Sequence, residues 1–206
     1  MVRILIAVPT YENIMPDTFK SIYDLDKCGH ECIFEFMRGY DCALARNRIA
    51  ERALDLAVDF VLMVDNDVIL PNDALKNLLE ESMDICLGYY AHRTGENIYD
   101  GRVCLCKNDG EFNYTHLFSG KELSAIQGAG IKKIQIHGGG MGCALFKTNV
   151  FEKLPYPWFK FVTYDDGDVL GEDLYFCELC KQYDIPVFAD ARVGCKHLFR
   201  SFIVPE

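Results

Sequence analysis

Asp65 and Asp67 close an unbroken apolar run, Phe60-Val61-Leu62-Met63-Val64. Such a run reads as a strand buried on both faces. Two carboxylates at i and i+2, leaving the end of that strand, can point at one small volume. Negative charges held that close want a cation. Hard oxygen donors suit Mg2+ or Mn2+, normally shared with a diphosphate that completes the coordination shell. In an open parallel sheet, ligands bind beyond the carboxyl ends of the strands, which is where this pair sits. A plain polar turn capping the strand uses the same residue types.

Other residues have chemical capability. Glu172-Asp173 follows Gly171 at a helix start, where the macrodipole favours carboxylates. Arg46 lies on a helix before the acidic strand and can pair bidentately with phosphate oxygens. Arg48, with Glu51 and Arg52 after it, reads as part of a solvated face. Cys195 and His197 are i and i+2 on a short strand, so both face the same side. With Cys177-x-x-Cys180 they have ligand types and spacing compatible with a structural zinc. Against zinc, Leu174, Cys177 and Cys180 recur at helix spacing, which reads as a buried face. Trp158 suits either a sugar-stacking platform or a core anchor.

Composition bounds the class. The chain has 206 residues, half of them apolar, 25% charged, with a formal charge of −10. That is a folded globular chain, and its field repels phosphate backbones, so no nucleic-acid partner is expected. No apolar run approaches the roughly 18 residues of a membrane span. Met1–Pro9 reads as a first buried strand and lacks the longer apolar core of a signal peptide. The ten cysteines sit mostly among apolar neighbours, as expected for free thiols in a reducing, cytoplasmic setting.

The elements that must position these residues follow from periodicity. Strands are expected over 3–8, 31–37, 59–64 and 85–89. Helices are expected over about 16–27, 42–57 and 71–82. This β-α-β-α-β-α-β order argues for an α/β fold: an open, mostly parallel central sheet flanked by helices. The second half differs. Strands over 103–106 and 112–117 flank Lys107-Asn108-Asp109-Gly110, a hairpin signal. Further strands are expected over 131–136, 143–147, 187–189 and 193–197, with a helix over 171–183 and a mobile acidic loop over 161–170. A composition shift near residue 95 marks two halves of a single domain over 1–206.

These motifs, in this order, resemble a GT-A fold glycosyltransferase of the family 2-like group. The likeness rests on Val8-Pro9-Thr10-Tyr11, Ala45-Arg46-Asn47, Asp65-Asn66-Asp67 with Pro71, Gly171-Glu172-Asp173 and Val193-Gly194-Cys195-Lys196-His197. It implies the nucleotide-diphospho-sugar transferase fold, with a nucleotide-binding half over about 1–95. A smaller antiparallel acceptor and catalytic half would cover about 96–206. It implies a metal-dependent transfer of one sugar from a UDP- or GDP-sugar to an acceptor hydroxyl of unknown identity, with Mn2+ or Mg2+ as cofactor.

Residue by residue, the resemblance places Pro9, Thr10, Tyr11 and Glu12 against the base and ribose. A turn with an aromatic face can hold a planar base, and Glu12 can accept ribose hydroxyls. Arg46 is implied to contact the base or diphosphate. Asp65 and Asn66 fall in the donor site, and the middle side chain need not ligate. The metal ligands would be Asp65, Asp67 and His197. Asp173 is implied to be the general base, with Glu172 on an acceptor hydroxyl. The Gly138-Gly139-Gly140 run allows close backbone approach and exposes N–H donors. Gly139 and Gly140 are therefore expected in a pocket wall near the donor sugar, although a bend between strands is the plainer use of glycine. The chain lacks the membrane spans and the Arg-Trp motif of processive synthases, so a single-sugar transfer is expected.

Three rival readings remain. Val64-Asp65-Asn66-Asp67-Val68 also fits a haloacid dehalogenase-type phosphatase, with Asp65 as nucleophile and Asp165-Asp166 as a late acidic pair. The motif normally lies on the first strand, and this is the third. A nucleotidyltransferase needs a Gly-rich basic loop after the first strand, which Pro9–Asn13 is not. A non-catalytic zinc- or sugar-binding module is the non-enzyme alternative.

Overall fold

The structure, a computed structural model, describes residues 1–92, 101–108 and 114–198. The first half alternates strand and helix: β1 (Arg3–Thr10), α1 (Pro16–Tyr23), β2 (Glu31–Arg38), α2 (Cys42–Asp55), β3 (Phe60–Val64), β4 (Val68–Ile69), α3 (Ala74–Leu79) and β5 (Ile85–Tyr89). A 3-10 turn at Glu80–Ser82 ends α3. Next come β6 (Arg102–Cys106), β7 (Leu117–Ser119), α4 (Gly120–Gly128), β8 (Lys133–Ile136), β9 (Gly138–Gly139) and β10 (Cys143–Lys147). The chain continues with α5 (Val150–Lys153), β11 (Val162–Thr163), β12 (Val169–Leu170), α6 (Glu172–Gln182), β13 (Val187–Gly194) and β14 (Lys196–His197).

Seven strands form the central sheet in the order β2-β1-β3-β10-β5-β13-β8. β1 runs parallel to β2 and β3, and β13 runs parallel to β5. β10 is antiparallel to both β3 and β5, and β8 is antiparallel to β13. The sheet is thus mostly parallel and takes strands from both halves of the chain. Along β1, Leu5 and Ala7 enter one core with Ile49 and Ala53 of α2 and Phe176 of α6. Ile4, Ile6 and Val8 enter the other with Ile22 of α1 and Leu75 of α3. That alternation is the strand's period of two, with both faces covered by helices.

Several expectations need correction. The helix predicted to reach residue 27 stops at Tyr23, and the one predicted from Pro71 begins at Ala74. β10, expected only as a strand of the second half, inserts between β3 and β5. α4 was not expected, although Ser119 and Glu122 form a capping box at its start. Of the expected hairpin, β6 and β7 do pair, but Asp109, Gly110 and Phe112 lie outside the described residues. The segment read as an acidic loop holds a small antiparallel hairpin, β11–β12.

Candidate active site

Strand register assembles the site. Ala7 of β1 lies opposite Met63 of β3. Two residues further on, Pro9 near the end of β1 comes level with Asp65 of the acidic turn after β3. Asn66 ties them together. Its Nδ2 donates to the Asn13 carbonyl at 3.0 Å and to Thr10 Oγ1 at 3.4 Å, and its own carbonyl accepts from Met15 N at 3.0 Å. Beyond these strand ends opens a cavity of about 430 Å3. Its walls are Pro9–Tyr11, the Asp65–Asp67 turn, the start of α2 from Tyr40 to Ala45, Tyr90 and His197. Of the sequence-predicted donor residues, Pro9, Thr10, Tyr11, Asp65, Asn66 and Asp67 reach this cavity. Glu12 lines a smaller neighbouring cleft of about 190 Å3 with Phe36 and Arg38.

His197 reaches Asp67 because β14 pairs antiparallel with β4, His197 opposite Val68. Leu198 N also donates to the Asp67 carbonyl at 2.8 Å. The imidazole is oriented from behind. Nδ1 donates to the Ala91 carbonyl at 2.9 Å, and the Tyr90 ring packs edge-on with centroids 4.9 Å apart. A carbonyl only accepts, so Nδ1 carries the proton and Nε2 faces Asp67 Oδ2 at 3.6 Å. An imidazole nitrogen and a carboxylate oxygen side by side are a donor set that suits Mn2+. Among the described residues, no group of three or more His, Cys, Asp or Glu converges as a ready metal cage. Asp67 and His197 are the two candidate ligands that the fold brings side by side.

Asp65 has a different partner. Its Oδ1 accepts from Arg46 Nη2 at 3.0 Å, and its backbone N–H donates to the Gly142 carbonyl at 3.0 Å. Arg46 Nε donates at 3.2 Å to Glu172 Oε1. Arg46 is 2% exposed and Glu172 8%. Neither lines the cavity. Arg46 therefore does not present an open fork to the cavity, and Glu172 is turned to Arg46 instead of into it. Burial opposes the guanidinium charge, yet Asp65 and Glu172 raise its pKa above the ordinary value. The phosphatase reading also fits poorly: its nucleophile would be this guanidinium-bound Asp65, and Asp165 and Asp166 sit on the exposed β11–β12 hairpin.

Asp173, the next residue, is half-buried, and burial together with the Glu172 charge pushes its carboxyl up to about 6. Its Oδ1 accepts from Leu174 N at 2.8 Å. A Cβ on Gly171 would lie 2.8 Å from that oxygen, so the glycine makes room for the carboxylate. Like Glu172, Asp173 does not line the cavity; unlike Glu172 it is not paired with Arg46, and its raised pKa suits a proton acceptor near neutrality.

The remaining candidates are structural. Gly138, Gly139 and Gly140 are buried and do not line the cavity. The space of their missing Cβ atoms is taken by Leu174 and Cys177, by Leu105, and by the Tyr90 hydroxyl. The run is a close crossing of strands, not a pocket wall. Trp158 is 6% exposed, and its Nε1 donates to the Phe151 and Leu154 carbonyls at 3.0 Å. It is a core anchor. Cys177 and Cys180 pack in one core and Cys195 against the other, so no zinc set forms from them with His197.

Sequence reasoning missed Tyr40, Asp41, Cys42 and Tyr90. Two signals were available. Asp41 is an N-cap whose side chain accepts from Leu44 N at 2.9 Å, and Tyr90 follows β5 as Asp65 follows β3. Cys42 opens α2, and burial pushes its thiol up to about 12.

No family model and no curated protein matches this chain. Solved structures do. A197 from STIV superposes with a TM-score of 0.61 at 17% identity, over 96% of this chain and 86% of that one. GalNAc-T7, crystallised with UDP, GalNAc and Mn2+, gives a TM-score of 0.62 at 10% identity, over 97% of this chain and 44% of its own. S. aureus TarS 1-349, in complex with UDP-GlcNAc, gives 0.51 at 14% identity, over 98% and 60%. The chain spans less than two thirds of the latter two. At such identities the likeness is one of fold, and it is the GT-A fold. Among the described residues, no helix is long and apolar enough to cross a membrane.

Proposed function

We propose that this GT-A chain is a metal-dependent glycosyltransferase that moves one hexose-type sugar from a nucleotide diphosphate-sugar to an acceptor hydroxyl. The observation that carries the reading is the Asp67–His197 pair, 3.6 Å apart, at the edge of the cavity beyond β1 and β3. UDP is the first nucleotide to test, because GalNAc-T7 was crystallised with UDP and TarS with UDP-GlcNAc. In this reading residues 1–95 bind the nucleotide and 96–206 serve the acceptor. Ten free thiols fit a reducing, cytoplasmic setting.

Mn2+ or Mg2+ held by Asp67 and His197 would supply Lewis-acid neutralisation of the leaving diphosphate. Pro9–Tyr11 and the start of α2 flank the base and ribose. Asp173 takes the proton from the acceptor hydroxyl as that oxygen bonds to the anomeric carbon and the nucleoside diphosphate departs. Positioned proton transfer of this kind contributes about 10²–10⁴-fold.

A thermal-shift series with UDP or GDP, each with and without Mn2+, tests the reading. One nucleotide should raise Tm only when Mn2+ is present, as mass action requires of a ligand that binds the native state. Asp67→Ala should fold normally and lose that response. A folded wild-type protein that no nucleoside diphosphate stabilises with Mn2+ overturns the proposal.

A further inference from the structure

We infer that Arg46 is a positioning residue, a buried latch that holds the Asp65 turn and the Glu172 end of α6 in one register so that Asp67 and Asp173 serve the same reaction. The inference rests on the glycosyltransferase reading for its catalytic consequence, not for its geometry. Arg46 bonds residues 19 positions downstream and 126 positions downstream. Its neighbour does the same work on a third segment. Asn47 Oδ1 accepts from Trp158 N at 3.0 Å and Phe159 N at 3.1 Å, and its Nδ2 donates to the Phe159 carbonyl at 2.7 Å. One dipeptide on α2 therefore fastens the acidic turn, the start of α6 and the segment before β11.

Three details separate a latch from a substrate-binding arginine. Arg46 is absent from the cavity wall. Its Nε and Nη2 are both committed to protein carboxylates. Its Nη1 is buried without a hydrogen-bond partner, so no face of the guanidinium is turned to solvent. Planarity matters. Two nitrogens of a rigid fork address two carboxylates at once, which the single ammonium of lysine cannot reproduce. Asp67 and His197 are held independently by the β4–β14 ladder, so loss of the latch leaves the metal pair in place.

The test uses the full chain as wild type, Arg46→Lys, and Arg46→Met combined with Glu172→Gln. Hydrogen–deuterium exchange of Arg46→Lys should rise at Asp65 and Asn66 and at the first turn of α6 together, with α1, β2 and the β4–β14 ladder unchanged. Exchange rising at neither motif, at only one, or uniformly overturns the latch. Calorimetric binding of UDP with Mn2+ to Arg46→Lys should stay within about 3-fold of wild type. Turnover of the sugar donor should fall by about 10²-fold, the usual consequence of misplacing a reacting group by about 1 Å. Binding lost in proportion to turnover would instead make Arg46 a diphosphate contact.

The double variant removes both buried charges, Arg46 and Glu172, and should regain most of the Tm lost by Arg46→Met alone. Its turnover should stay low. Turnover that returns with Tm would reduce Arg46 to charge balance and overturn the inference. A wild-type protein that binds no nucleotide would sink the enzymatic reading, while the exchange result still decides the latch.

Discussion

Asp65 and Asp67 stand two residues apart on one turn, yet they belong to different parts of the site. Their side chains are similarly exposed, 25% and 27%, so solvent does not separate them. Their partners do. Asp65 meets a guanidinium that is 3% exposed and chained to Glu172, whereas Asp67 meets an imidazole nitrogen on the cavity edge. Asp65 is tied to the buried guanidinium, and Asp67 is the carboxylate that the proposed metal would take beside His197. The same contrast recurs on α6, where Glu172 is tied to Arg46 and Asp173 is not. In the proposed reaction each acidic pair thus divides into one residue tied to Arg46 and one assigned to the chemistry. Damage to the first kind should appear in stability, and damage to the second in function.

The largest expected effect is at Asp173. Asp173→Asn should lower turnover by about 10²–10⁴-fold. In the wild type, turnover should fall as pH drops through about 6, where this carboxyl takes up its proton. Stability moves the other way. The folded-state pKa lies above the unfolded value, so the folded protein binds the extra proton between about 4 and 6. The group's contribution to stability is therefore full below that window and lost as pH rises through it. Asp173→Asn should then be more stable than wild type at pH 7.5, by at most about 3 kcal/mol, and no more stable at pH 4. Urea unfolding at the two pH values checks this. A variant equally stable at both would remove Asp173 from the chemically available class.

Arg46→Met should follow, at about 3–5 kcal/mol of lost stability, because Asp65 and Glu172 would face each other unpaired. A loss below about 1 kcal/mol in urea unfolding would erase the contrast between the latch and the cavity wall. Asp67→Ala should come next. Its side chain is 27% exposed and its turn is held by the backbone pairing of β4 with β14, so stability should change by less than about 1 kcal/mol while the Mn2+-dependent response to nucleotide disappears.

The legible parts of this chain are those whose information is local. β1 and β3 read as buried strands because every position from Ile4 to Val8 and from Phe60 to Val64 is apolar or small, and the acidic turn follows by simple continuation. The roles of Arg46 and Glu172 were not legible, because each is defined by a partner 126 residues away. Gly139 and Gly140 misled for the same reason: what fills the space beside them comes from Leu105 on β6 and from Tyr90 just after β5. Strand direction was equally hidden. Nothing within Cys143–Lys147 says that β10 runs against β3, yet that insertion places the Gly142 carbonyl on Asp65 N. The Ser119–Glu122 box was readable, but glycines at both ends of α4 weaken its helical signature.

The smallest effect tests the cavity wall where it is most exposed. Tyr11 follows β1, is 71% exposed, and lines the cavity with Thr10. A side chain so exposed contributes little to folding, so Tyr11→Ala should shift stability by no more than about 0.5 kcal/mol. An aromatic face stacked on a base is worth about 1–3 kcal/mol by alanine substitution. UDP with Mn2+ should therefore bind Tyr11→Ala about 5- to 150-fold more weakly, and Tyr11→Phe should bind as wild type, since the ring and not the hydroxyl does the stacking. Calorimetric titration of both variants decides it. Equal losses in the two would assign the contact to the hydroxyl. No loss in either would place the base elsewhere, with the cleft of Glu12, Phe36 and Arg38 as the nearest alternative wall.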